Sequence, residues 1–208
     1  MESAKKGKFI VFEGIDGCGK STQAKMLKKY LEENGFSVHL TFEPTYGQTG
    51  TLLHKILSGE KKADPGVVAA LFAADRLEHI TDADCGMLSL LESGKTVICD
   101  RYYFSSLAYQ GAELDPNWVY ALNSRAAKLL KPDYTVFIDV PPKECLNRIK
   151  AGREEFEIYE NLERLTAVRE NYLRLFERCG DAENIYITDG NRSREMVFED
   201  ILKILGKF

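Results

Sequence analysis

Residues Gly14-Ile15-Asp16-Gly17-Cys18-Gly19-Lys20-Ser21 match the spacing G-x-x-x-x-G-K-[ST] in full. The run from Lys8 to Glu13 before them is apolar and reads as a buried strand. The residues from Lys20 to Asn34 after them carry a helical pattern that stops at Gly35. A strand, a glycine-rich turn and a helix in that order aim successive backbone N–H groups at one point, and the helix adds the positive end of its dipole. Such a turn binds phosphate. Lys20 can carry its charge to the outer phosphates of a nucleoside triphosphate, and the Ser21 hydroxyl can ligate Mg²⁺. The loop leaves the reaction open.

The rest of the chain repeats the alternation of strand and helix, which predicts an α/β protein with a parallel sheet covered on both faces. Further strands are expected at Ser37 to Phe42, Thr96 to Cys99, Tyr134 to Val140 and Asn184 to Thr188. Helices are expected near Gly50 to Leu57, from Asp64-Pro65 to about Ser93, and at Asn117 to Leu130. Three more follow at Pro142 to Lys150, Tyr159 to Cys179 and Ser193 to Leu205. With 208 residues and neither linker nor repeat, one domain over 1–208 is expected. The strands end at or beside Glu13, Glu43, Asp100, Asp139 and Asp189. Ligands of open α/β sheets bind beyond those ends, so the acids are either partners for a divalent cation or solvated strand ends.

Composition narrows the classes. Lys and Arg number 28 against 32 Asp and Glu, a net charge of −4 that argues against a nucleic-acid polymer as partner. No apolar stretch is long enough to span a bilayer and no leader is recognisable, so no membrane association and a cytoplasmic location are expected. Five cysteines without paired CxxC spacing read as free thiols rather than a zinc site. No N-K-x-D follows a strand, which argues against a GTPase switch.

Directly after the third predicted strand stands Asp100-Arg101-Tyr102. An acid there can hold Mg²⁺ directly or through water, and the arginine offers a planar fork suited to phosphate. From Asp100 to Gly111 the chain resembles the signature segment of the thymidylate kinase family. Supporting matches are Phe12-Glu13-Gly14-Ile15-Asp16, Glu43-Pro44-Thr45, Leu71-Phe72-Ala73-Ala74-Asp75-Arg76 and Phe137-Ile138-Asp139-Val140-Pro141. The resemblance implies a P-loop kinase fold with a five-stranded parallel sheet, a short helical lid at about 147–160 and a homodimer. It implies ATP as co-substrate on Gly14 to Ser21, with Mg²⁺ on Ser21 and Asp100. It also implies that Arg101 grips the phosphate of dTMP, Asp16 reaches the deoxyribose, Phe72 stacks on thymine and Arg76 bonds its carbonyl edge. Glu43, Ser106, Tyr109 and Gln110 would complete the dTMP pocket.

Phe72, Arg76 and His79 stand at i, i+4 and i+7, so they share a helix face. From spacing alone Phe72 could equally be core, with Arg76 paired to a carboxylate. Asn147 to Arg153 resembles the family's lid. With glycine at position 17, the arginine that closes on the γ-phosphate is assigned to Arg153, with Arg148 nearer the ATP. The chain departs from the family in the acidic run Glu154-Glu155-Phe156-Glu157 and in Phe42 before Glu43-Pro44. Cys18 sits at a helix N-terminus, a setting that lowers a thiol pKa. Lys20, Asp100, Arg101 and Arg153 are the catalytic candidates. The rival enzyme reading is a deoxynucleoside kinase, which would need a carboxylate base for a 5′-hydroxyl; the non-enzyme rival is a nucleotide-sensing protein without turnover.

Overall fold

The structure, a computed structural model, describes residues 6–152 and 161–206. Its strands are β1 Phe9–Glu13, β2 Val38–Phe42, β3 Thr96–Asp100, β4 Tyr134–Asp139 and β5 Ile185–Asp189. They form one all-parallel sheet in the order β2-β3-β1-β4-β5. Every residue of β1 and β3 is buried, which explains why these strands read as unbroken apolar runs rather than alternating ones. The helices between them are α1 Lys20–Glu33, α2 Gln48–Leu57, α3 Pro65–Thr81, α4 Met87–Glu92, α5 Tyr103–Tyr109, α6 Pro116–Leu129, α7 Pro142–Gly152, α8 Leu162–Cys179 and α9 Arg194–Leu205. Among the described residues no helix is long and apolar enough to cross a membrane.

The chain leaves β1 toward β2 and β3 on one side and later crosses to β4 and β5 on the other. The strand order therefore reverses at β1, and a crevice opens there at the carboxyl edge of the sheet. Both phosphate-seeking motifs lie at this place. The phosphate loop follows β1, and Asp100 ends β3 with Arg101 directly after it; β3 pairs with β1 in the register Phe12 to Asp100.

Local chemistry accounts for most helix ends. Asp64 accepts from the Gly66 amide at 2.7 Å and Asp115 from Asn117 at 2.9 Å, each followed by a proline at the first helical position. The single helix expected from Asp64 to Ser93 is two helices. Asp82 breaks it by accepting the Asp84 and Cys85 amides at 2.9 and 2.8 Å, a local turn that competes with helical hydrogen bonds. A Cβ at Gly86 would lie 2.4 Å from the Asp82 carbonyl oxygen, so the tight turn also needs a glycine. The short helix α5 has no counterpart in the sequence-based expectation. It is buried on nearly every side, so no apolar stripe marks it.

Candidate active site

The phosphate loop is shaped by glycines at positive φ: Gly14 at 148°, Gly17 at 80° and Gly19 at 103°. A Cβ at Gly17 would stand 2.5 Å from the Cys145 carbonyl oxygen, so α7 packs against the loop where a side chain would otherwise sit. Gly19 caps α1 without a side-chain hydrogen bond, which leaves the first amides of the helix facing the cleft. Lys20 is 6% exposed and its Nζ donates to the Gly14 and Ile15 carbonyls, both at 3.0 Å. Asp16 to Lys25 line a cleft of about 850 Å³ together with Arg148, Gly190, Arg192 and Arg194. Gly14 and Ile15 are not on its wall; they form the underside of the loop, against Ile138 and the core.

Arg148 donates from Nη1 and Nη2 to the Gly190 carbonyl at 3.3 Å, bridging α7 to the turn after β5. Arg153 and the rest of the expected lid from 153 to 160 lie outside the described residues. Cys18 is 2% exposed, and burial pushes its thiol above the ordinary value against the pull of Lys20. Desolvation outweighs the lowering expected of a helix terminus, and Cys18 stands as a small buried residue that fits the loop.

The five strand-end acids separate by their partners. Glu13 is fully buried and bonded to four protein donors. Glu43 pairs with Arg76 at 2.7 Å and accepts from His79 Nδ1 at 3.1 Å. Asp139 holds Arg169 through two bonds, at 2.6 and 2.8 Å, and Asp189 meets Arg192 at 3.4 Å. Asp100 differs. Its Oδ2 accepts from the Ser21 hydroxyl, while its Oδ1 is buried with no partner among the described residues. A buried, orphaned carboxylate oxygen beside a phosphate-loop hydroxyl is the donor set a hard divalent cation takes, so Ser21 and Asp100 fit Mg²⁺. Glu43, His79 and Cys99 also lie close enough together to share an ion. Each is bonded within the protein instead: Arg76 and His79 each bond one Glu43 oxygen, His79 Nε2 bonds Thr41 at 2.8 Å, and the Cys99 thiol donates to the Arg101 carbonyl at 3.1 Å.

A second cavity, of about 520 Å³, adjoins the first. Asp16, Glu43, Phe72, Arg76, Arg101, Ser106, Tyr109 and Gln110 all line it, and Asp16, Glu43 and Arg101 line both cavities. Arg101 sits at φ 74°, a left-handed conformation unfavourable for any residue with a Cβ. Its Nη2 donates to Asp16 Oδ1 and to the Tyr109 hydroxyl at 3.3 Å, its Nη1 donates to Ser105 at 3.1 Å, and the guanidinium lies 4.9 Å from the Tyr109 ring centre. Burial alone would raise the Asp16 carboxyl, but Arg101 and Lys20 overcome it and hold the pKa at about 2. Burial pushes the Tyr109 phenol well up, so it remains a donor and gives its proton to Asp16 Oδ2 at 2.8 Å.

Arg76 is 1% exposed. Besides Glu43 it donates to Ser106 at 3.0 Å, to Asn123 and to the Tyr102 carbonyl at 3.1 Å, so four of its five N–H groups are taken within the protein. Among the described residues one Nη2 hydrogen is left without a partner, on a side chain that lines the cavity. Gln110 brings a buried Oε1 that has no partner among the described residues. Sequence reasoning missed several residues of these cavities and their supports. Tyr46 and His54 stack at 4.6 Å on one wall, and Arg164 meets Glu113 at 3.2 Å on the other. Asn123 holds Arg76, Ser105 holds Arg101 from the cavity wall, Tyr172 supports Ser105 and Glu13 from α8, and nothing in local spacing marks them.

A family model described as thymidylate kinase matches residues 12–201. A protein named probable thymidylate kinase from Pyrococcus horikoshii is 42% identical over 206 residues, covering 96% of both chains. Others of that name from Staphylothermus marinus and Methanococcus aeolicus are 41% and 42% identical, covering 98% and 95% of this chain.

Proposed function

Because the chain belongs to the thymidylate kinase family, we propose that it transfers the γ-phosphate of ATP to dTMP, giving dTDP and ADP. The observation that carries this reading is that two cavities meet at Arg101 and Asp16, one walled by the phosphate loop and the other by Phe72, Arg76 and Gln110. ATP takes the first and dTMP the second, so donor and acceptor phosphates come together at the shared wall. Ser21 and Asp100 hold Mg²⁺ there. When bound, the ion neutralises charge on the ATP phosphates and aligns them.

Lys20 exchanges its loop carbonyls for phosphate oxygens. Arg101 fixes the dTMP phosphate with its fork, so that one oxygen of the acceptor faces the γ-phosphorus in line. Arg153 serves as the lid arginine, a role consistent with the steric closure of position 17. Arg148 stands beside the ATP. Phe72 offers its ring to thymine, Arg76 its remaining N–H and Gln110 its orphaned oxygen, while the Tyr109 ring crowds the position of a ribose 2′-hydroxyl. We extend the proposal to a homodimer, as the family resemblance implies, and to a cytoplasmic location.

The acceptor oxygen of a monophosphate is already ionised and needs no general base. A 5′-hydroxyl acceptor would need one, and the carboxylates at hand are poor bases. Asp16 has a pKa of about 2, Glu43 is tied to Arg76 and His79, and Glu113 is paired with Arg164 at 3.2 Å. Asp100 lines the phosphate-loop cavity alone of the two and holds the Ser21 hydroxyl, and Glu13 lines neither cavity. This chemistry favours the monophosphate over the nucleoside. With γ-labelled ATP offered beside dTMP, dUMP, UMP and thymidine, label should pass to dTMP with one ADP released per dTDP. Preferential labelling of thymidine would overturn the assignment, and so would binding of ATP without ADP release.

A further inference from the structure

Arg101 is held by three side chains, and two of them, Asp16 and Tyr109, grip the same nitrogen, Nη2. Among the described residues Ser105 alone takes Nη1, at 3.1 Å. A hydroxyl has one proton, and it can accept from a guanidinium only when that proton points elsewhere. Here it points to Glu13 Oε2 at 2.6 Å.

Glu13 gathers the whole corner. It accepts from the Tyr102 and Ser105 amides at 2.9 and 3.2 Å, which tie down the start of α5 just after the strained Arg101, and from the Tyr172 hydroxyl at 2.8 Å. Tyr172 reaches in from α8 and also stands 2.8 Å from the Ser105 oxygen. Its ring is fixed by Phe137 and Phe176, with centres 5.0 and 5.8 Å away. Neither Glu13 nor Tyr172 lines a cavity, and both are fully buried.

We propose that Glu13 and Tyr172 are positioning residues that act through the Ser105 hydroxyl to set the direction in which Arg101 presents its fork to the acceptor phosphate. This rests on the reading of Arg101 as the dTMP phosphate grip. The carboxylate orients the serine proton, the serine lone pair orients Nη1, and the tyrosine hydroxyl keeps the carboxylate oxygen in place. Burial pushes the Tyr172 phenol well up, so it stays protonated and serves as a donor. Buried polar groups of this kind are fully satisfied or costly, and here each bond leads toward the same guanidinium.

Tyr172→Phe tests the relay without disturbing the ring packing. Steady-state kinetics of the full chain with ATP and dTMP should show kcat/KM for dTMP lower by about tenfold, with KM for ATP close to that of the parent and a lower thermal midpoint, since the buried Glu13 loses one of its donors. Ser105→Ala should cost more, and the double variant no more than Ser105→Ala, because the group through which Tyr172 acts is gone. Unchanged dTMP kinetics in Tyr172→Phe would overturn the relay. A parallel loss for ATP, or effects that simply multiply in the double variant, would also do so by marking a merely structural role. Failure of the parent itself to phosphorylate dTMP would instead discard the functional reading beneath it.

Discussion

Replacing Arg101 with alanine should lower kcat/KM for dTMP by about 10³-fold while ATP still binds. The expectation follows from where Arg101 stands. It lines both cavities, and its guanidinium is spread between Asp16, Tyr109 and Ser105 so that the fork is fixed before any phosphate arrives. No other arginine joins the two cavities among the described residues. Its backbone is held at φ 74°, a conformation that costs an L-residue roughly 1–2 kcal/mol and persists where the surroundings insist on it. Arg101→Gly supplies an internal check. It should be as inactive as Arg101→Ala yet more stable by about 1 kcal/mol, because glycine relieves the strain and neither variant keeps the fork. Turnover of Arg101→Ala within about tenfold of the parent would remove Arg101 from the acceptor site.

Glu43→Ala should be the most damaging single change to stability. The Glu43–Arg76 pair is almost wholly enclosed, with the two residues 4% and 1% exposed. The remaining partners of Arg76 are neutral: Ser106, Asn123 and a carbonyl. Removing the carboxylate strands a buried positive charge, which costs about 3–5 kcal/mol. His79 loses its Nδ1 acceptor as well. Denaturant unfolding should show a lower midpoint with an unchanged slope, and Glu43→Gln should fall between parent and alanine because it keeps an acceptor for Arg76. A loss below about 1 kcal/mol for Glu43→Ala would mean that the pair is more solvated than its burial indicates.

The phosphate loop was legible because its chemistry is local. Eight consecutive residues carry the glycines, the lysine and the serine, and an apolar strand and a helix flank them. The strands were legible for a related reason, since a sheet buried on both faces writes unbroken apolar runs. The strand ends lie beside both cavities, and Asp100 was singled out by the arginine that follows it and by the family resemblance, not by its place at a strand end. Asp100, Glu43 and Asp139 look alike in sequence; their partners, at separations of 79, 33 and 30 residues, distinguish them. Arg76 shows the same limit. Helical spacing put it on a face with Phe72, yet Asn123 and Ser106 approach it from 47 and 30 residues away. The break after Thr81 was hidden in a run that keeps its hydrophobic period, because an aspartate side chain bonding its own backbone leaves the apolar pattern intact. The relay behind Arg101 was invisible for the plainest reason: Tyr172 is 159 residues from Glu13.

Adenosine and thymidine joined through their 5′ oxygens by a short polyphosphate bridge provide the most direct probe of two cavities that share Arg101 and Asp16. The inhibition pattern of this compound should be competitive against ATP and competitive against dTMP, with one molecule bound per chain. Competition with only one of the two substrates would mean that the phosphates do not meet at the shared wall, and the account of direct transfer across it would be wrong.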